Sequence, residues 1–279
     1  MSPMEETQKS AASKAAVYIL LFGLALIFLI PIFFIAMTAL KSNADLMRNP
    51  VYALPETLEW GNFAEAWDKM KSYIGNSLFI SVVKVPLGIL IEALAAYALT
   101  RMGFKWANAL FAVFLIGMMI PFQATLVPLN MMLNRFGLEN TYPGIFIVYI
   151  GFGIPFGIMV LRGFLRGIPK ELDEAAYIDG CGELGKFIRI ILPIAMPAIA
   201  TLVILDFLST WNEFLLAQIF ITKDSMQPVT AGLLTFRGQY STNYTLLSAA
   251  VLISIVPILA VYLFFQKYFV SGMAGAVKG

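Results

Sequence analysis

The sequence predicts an all-α membrane protein that crosses the bilayer six times, and three observations carry that expectation. Hydrophobic residues make up 59% of the 279-residue chain and charged residues 13%, a balance that would leave a soluble domain of this size poorly solvated. The apolar residues gather into six runs, 15–40, 74–99, 107–132, 142–165, 194–217 and 245–265. Each exceeds the roughly 20 residues a helix needs to cross a hydrocarbon core of about 30 Å. Helices are required because an open sheet would leave backbone groups without partners in lipid.

The first run follows Lys9 and Lys14 as the core of a signal peptide would, but such cores are only about 7 to 15 residues long. It reads as a retained span behind a short tail, residues 1–14. The connection 41–73 carries Pro50, Pro55, Trp60, Phe63 and Trp67, and the connection 218–244 carries Lys223, Asp224, Arg237 and Tyr240. Pro121, Pro128, Pro155 and Pro197 each remove a backbone donor inside a span, so bundled and kinked helices are expected. Trp106 and Trp211 fall near span ends, where an amphipathic indole suits the interface. With no linker or short repeat in view, residues 15–279 read as a single transmembrane domain.

Lysines and arginines outside the spans favour one side of the membrane. That side holds the N-terminal tail, the second and fourth connections and the C-terminal end, with Arg101, Lys105, Arg162, Arg166, Lys170, Lys186, Arg189, Lys267 and Lys278 among its charges. Both termini and the fourth connection therefore face the cytoplasm. The net charge of +2 is small and dispersed, which argues against nucleic acid as a partner. Cys181 is the only cysteine and histidine is absent, which excludes an intramolecular disulfide, cysteine-rich metal cages, the common zinc motifs and Ser-His-Asp triads.

The fourth connection, 166–193, is a charged segment between apolar runs. Pro169 suits a first helical turn, Glu171, Asp173 and Glu174 complement its positive end, and Gly180 can end it in a left-handed conformation. Ala175 and Ala176 let a partner approach the backbone, and Leu172, Ala176 and Tyr177 share a face at helical spacing. Such an element either lies on the headgroups or docks into another protein. Gly180, Gly185 and Lys186 imitate a phosphate-binding loop, but Phe187 stands where the Ser or Thr that meets magnesium belongs, and no buried strand precedes it.

Glu174-Ala175-Ala176, Gly180, Ile190 and Leu192-Pro193 fill every specified position of the signature of integral-membrane subunits of ATP-binding-cassette importers. Around it, Ile168-Pro169-Lys170-Glu171-Leu172, Asn76-Ser77-Leu78, Ala95-Ala96-Tyr97-Ala98-Leu99 with Arg101, Gly137-Leu138 with Asn140-Thr141, and Trp211-Asn212-Glu213-Phe214 resemble the carbohydrate-uptake, maltose-permease-like branch. So do Gln266-Lys267-Tyr268-Phe269-Val270 and Gly275-Ala276-Val277-Lys278-Gly279. The resemblance runs from Asn76 to the C-terminus, and the N-terminal third matches by layout. It implies the type I importer permease fold, with a cytoplasmic coupling helix between the fourth and fifth spans. It also implies that Glu174, Ala175, Ala176 and Gly180 meet an ATPase subunit. The implied assembly has a second permease subunit in a heterodimer, two ATPase subunits that hold the ATP and magnesium, and an extracytoplasmic solute-binding protein met by the outer loops. This chain would hold no cofactor and catalyse nothing. Its cargo would be a carbohydrate, an oligosaccharide or a glycerol phosphate, and its location the bacterial cytoplasmic membrane.

Lys84, Glu92, Asp206 and Glu213 lie within or at the ends of spans, where a central charge costs about 2.5 to 3.5 kcal/mol on insertion scales. Asp206, Thr210 and Glu213 recur at helical spacing and form one polar stripe. Two readings stay open: the stripe, with Asn212 and Lys84, lines a substrate route, or the charges pair between helices, Lys84 with Asp206 for instance. Glu92 is rotated about 80° from Lys84 on an ideal helix, which argues against direct pairing and leaves it without a role. Glycoside hydrolysis would need a water-filled cleft between carboxylates. An ion-coupled secondary transporter with Asp206 as proton site is the alternative class, favoured if an ion gradient drives uptake without ATPase partners. A non-transporting scaffold is favoured if the assembled complex moves no solute.

Overall fold

Helix follows helix along the chain, whose computed structural model describes the backbone of residues 3–238 and 241–276 and the side chains of 13–238 and 241–267. The side chain of Lys9, Tyr240, Lys278 and the side chains of the C-terminal motif lie outside the described residues. The longer helices are α1 (Pro3–Ala39), α3 (Gly61–Arg101), α6 (Tyr142–Arg166), α10 (Met196–Asn212) and α13 (Tyr244–Ala276). Between them lie α2 (Asn43–Arg48), α4 (Ala107–Met118), α5 (Leu126–Arg135), α7 (Glu171–Ile178), α8 (Glu183–Lys186), α9 (Leu192–Ile194), α11 (Leu215–Phe220) and α12 (Val229–Gly232). A π turn at Phe187–Ile191 joins α8 to α9. No named strand occurs among the described residues; one isolated bridge pairs Arg237 with Thr242.

Among the described residues, four helices are long and apolar enough to cross a membrane: Ser13–Ala39, Gly61–Arg101, Tyr142–Arg166 and Tyr244–Lys267. They match the first, second, fourth and sixth apolar runs. The third and fifth runs are not straight helices. Ala107–Met118 meets Phe122–Arg135 at 89°, and Glu183–Ile194 meets Met196–Asn212 at 75°. Pro121, extended at the first break, lacks the N–H that would continue the ladder, and Pro197 opens α10 just after the second. The fifth run breaks again where Glu213 turns extended, and α11 starts afresh at Leu215. Counting each bent pair as one span gives up to six crossings.

The chain groups in space into two units: Met1–Lys69 with Thr235–Ile253, and Met70–Leu234 with Ser254–Gly279. In the first, α1 exposes nearly every side chain from Val17 to Phe33, as suits a helix apolar all round and bathed in lipid. Its C-terminal end is fastened by Asn62, whose amide donates to the Ala39 and Lys41 carbonyls at 2.9 Å each. Ser42 caps α2 by accepting from the Asp45 N–H. The buried Asp45 in turn accepts from Asn49 Nδ2 (2.8 Å) and the Glu56 N–H (3.0 Å), bonds that hold its carboxyl below the usual carboxylate range. The connection 41–73 is therefore an ordered element, and Phe63 and Trp67 stand on the first turns of α3.

The second unit is built on α6. Ile145, Val148 and Tyr149 of α6 pack with Ile80, Leu133, Leu216, Phe220 and Ile221. The quoted polar motifs fasten this core at its edge. Asn76 Nδ2 donates to the Ser225 and Gln227 carbonyls at 3.0 Å each, and Ser77 Oγ accepts the Val229 N–H at 2.8 Å. Asn140, left-handed at φ 56, accepts the Thr222 N–H at 2.6 Å, and Thr141 caps α6. Gly144 lies so close to the Leu138 carbonyl oxygen that a Cβ would come within 2.2 Å of it.

Candidate functional site

Two places concentrate the candidate residues, the segment 166–193 and a polar cavity among α3, α6 and α10. In the segment, α7 carries Glu171, Asp173 and Glu174 in its first turn. It ends as the sequence predicts: Gly180 takes φ +73, its N–H donates to the Tyr177 carbonyl, and the Cys181 N–H donates to the Ala176 carbonyl at 2.9 Å. This double bond pattern satisfies the last carbonyls of the helix and needs a residue without a Cβ penalty at the turn.

Arg101, at the last residue of α3, ties this segment down. Its Nη1 pairs with Asp173 Oδ2 at 2.7 Å, and its Nη2 donates to the Leu165 and Ile168 carbonyls at 2.5 and 2.6 Å. One turn earlier, the Tyr97 hydroxyl donates to Glu183 Oε2 at 2.8 Å, and Glu183 also pairs with Lys186 at 2.5 Å. Nothing in the residue spacing announces the ties made by Arg101 and Tyr97, because they link positions 64 to 86 apart in sequence.

The exposed face of α7 differs from the expected one. Ala176, 3% exposed, packs into its own chain, whereas Tyr177 and Ile178 are 76% and 84% exposed and Leu172 is exposed beside them. Glu174, Ala175 and Gly180 are exposed. The exposed face is thus Leu172, Tyr177 and Ile178 with Glu174 and Ala175, and Ala176 sets the seat of the helix.

The cavity, about 360 Å³, is lined by Lys84, Glu92, Tyr149, Phe152, Phe156, Asp206 and Glu213 among others. Lys84 forms an ion pair with Asp206, and both side chains line the cavity, so pairing and lining are compatible. Asp206 Oδ2 is buried with no hydrogen-bond partner. Glu92 joins the same cluster despite its rotation along α3. A Cβ on Gly153 would sit 3.4 Å from Lys84 Nζ, 3.5 Å from Glu92 Oε1 and 3.8 Å from Asp206 Oδ1, while one on Gly157 would fall 1.9 Å from Glu92 Oε2. The two glycines, four residues apart on α6, leave a notch into which the Glu92 chain reaches across the offset. That spacing is the signal that sequence reasoning missed.

Glu213 has its oxygens committed: it accepts from the Tyr149 hydroxyl (2.7 Å) and from the N–H groups of Leu216 (2.8 Å) and Ala217 (2.9 Å), capping α11 from outside its first turn. Thr210 is buried in the cavity lining. Asn212 is exposed, donates to the Leu208 carbonyl at 2.9 Å, and does not line the cavity.

One family model, "Binding-protein-dependent transport system inner membrane component", matches residues 84–275, a range that includes both the segment 166–193 and the residues named around the cavity. The chain belongs to this family of transport-system inner membrane components. Among the relatives of this inner membrane component is the arabinooligosaccharides transport system permease protein AraQ of Halalkalibacterium halodurans, 36% identical, with 92% of this chain and 93% of AraQ covered. Another is the diacetylchitobiose uptake system permease protein NgcG of Streptomyces coelicolor, 34% identical over 87% of this chain and 82% of NgcG. In fold, the component matches a chain of a bacterial ABC transporter that imports the acidic polysaccharide alginate. That match has a TM-score of 0.80 at 22% identity and covers 96% of this chain and 99% of the other. It is thus a multi-pass transport subunit of the inner membrane.

Proposed function

We propose that this chain is one of two permease subunits of a carbohydrate importer driven by ATP hydrolysis in separate subunits. The observation that carries the reading is α7: a short helix, stopped at Gly180 and held to α3 through Arg101, that turns Leu172, Tyr177 and Ile178 outward. Apolar side chains so exposed at the end of a charged membrane connection fit a groove in a partner protein better than water. Glu174, Ala175 and Gly180 complete that contact, and Ala176 seats it. The bent pairs count as single spans, six in all, with both termini and segment 166–193 cytoplasmic. Relatives that carry arabinooligosaccharides and diacetylchitobiose support a sugar as cargo.

In this reading a second, different permease completes the pathway, and two ATPase subunits hold the ATP and magnesium. A solute-binding protein delivers sugar at the outer face. Lys84, Asp206 and Glu213 line the route, with Asn212 at its exposed outer end. Lys186 and Gly185 bind no nucleotide: Lys186 is engaged by Glu183, and Phe187 is buried.

The test is reconstitution of the chain with its co-purifying partners, measuring ATP hydrolysis stimulated by sugar-loaded binding protein together with sugar uptake. Glu174→Lys, or Gly180→Leu, which forces a branched side chain into a left-handed turn, is expected to lower ATP-dependent uptake at least tenfold, about 1.4 kcal/mol of lost coupling. Unaltered assembly and uptake in both variants would overturn the proposal. Uptake driven by an ion gradient without ATPase subunits would replace it by secondary transport.

A further inference from the structure

The charges around the cavity do not balance. Three carboxylates, Glu92, Asp206 and Glu213, face it against one ammonium, Lys84. Lys84 is already paired with Asp206, and Glu213 is committed to Tyr149 and the start of α11. What remains for a visitor is hydrogen-bonding capacity: Asp206 Oδ2 without a partner, and Glu92, 2% exposed, whose carboxyl group stands beside Lys84 and Asp206. Phe152 and Phe156 add apolar walls, and Ser209 and Thr210 add hydroxyls. A sugar hydroxyl donates to a carboxylate and an aromatic face covers a ring, whereas an incoming anion would meet uncompensated negative charge in a low-dielectric enclosure.

We propose that this cavity is a sugar subsite that accepts uncharged or amino-bearing rings and excludes anionic ones, those carrying carboxylate, sulfonate or phosphate. The inference rests on the carbohydrate-transport reading above and narrows it: oligosaccharides without acidic groups fit the site and glycerol phosphate does not. The excess of carboxylates supplies the selectivity by repulsion, and Lys84 supplies none of the opposite kind because Asp206 holds it.

The experiment uses the purified complex of this chain with its partner permease and ATPase subunits, without nucleotide. It is titrated with oligosaccharides of one length and linkage in neutral, amino and uronate forms. The neutral and amino forms are expected to bind about tenfold or more tightly than the uronate. Asp206→Asn, which releases Lys84, is expected to raise uronate affinity about tenfold, and adding Lys84→Met is expected to abolish that gain. Because the comparison of sugars on the unaltered complex needs no variant, misfolding of a variant leaves the test intact. Uronate binding as tight as neutral binding, or a folded Asp206→Asn complex with an unchanged uronate-to-neutral ratio, overturns the inference while the transport reading stands. If no sugar of any charge binds or is taken up, the transport reading falls and this inference falls with it.

Discussion

At the scale of single residues, the absence of a side chain decides as much as its presence. Gly157 exists for Glu92: a Cβ there would overlap the glutamate, 1.9 Å from Oε2 and 2.0 Å from Cδ. Gly157→Ala is expected to destabilise the protein by about 1 to 3 kcal/mol, as overpacking does, and Glu92→Ala in the same chain should recover most of the loss. Thermal unfolding of the single and double variants checks this; a double variant no more stable than the single one would refute the contact. The sequence made Lys84 and Asp206 legible as a pair, because opposite charges in a membrane seek one another. Glu92 was not legible, because an ideal helical wheel ignores both the reach of a glutamate and the notch that a neighbouring helix offers.

At the scale of elements, long apolar helices were readable from composition: α6 begins at the predicted residue and ends one residue beyond the predicted run. The third and fifth runs conceal the size of their bends because hydropathy counts apolar residues and is blind to direction, so a stretch that turns through 89° reads as one continuous run. The π turn at Phe187–Ile191 likewise leaves no periodic mark. The stop at Gly180 was legible, since only glycine adopts that turn cheaply. What the spacing did not reveal is how α7 is attached. Arg101 binds Asp173, the Leu165 carbonyl in the last turn of α6 and the Ile168 carbonyl just beyond it, so the end of α3, the end of α6 and α7 share one set of bonds. Arg101→Met is expected to raise the ATP hydrolysed per sugar imported several-fold in the reconstituted complex, with the ATPase subunits still bound, because losing a buried charged partner costs about 3 to 5 kcal/mol. Asp173→Asn should do so more mildly, since it leaves both carbonyl bonds in place. An unchanged ratio of hydrolysis to uptake in Arg101→Met would show that this joint carries no motion.

For the whole molecule, the decisive prediction is topological, and the lone Cys181 provides the probe. It follows Gly180 in the segment read as cytoplasmic and is partly exposed. A membrane-impermeant maleimide is expected to leave the protein unlabelled in intact cells and to label it after permeabilisation, with ATPase subunits slowing the reaction. Labelling of intact cells would invert the topology and remove α7 from reach of any ATPase. The molecule also shows why the connection 41–73 resisted prediction. Residues 41–73 read as a loop because prolines and exposed aromatics interrupt the apolar pattern, yet Asp45, Asn49, Asn62 and Lys41 knit them through bonds that no period encodes.

The notch at Gly157 also limits how these helices can rearrange. Sliding α6 along α3 would carry Gly157 away from the Glu92 side chain and bring side-chain-bearing positions of the same face toward it. Any rearrangement that opens the cavity must therefore either keep Gly157 against Glu92 or withdraw the glutamate from the notch.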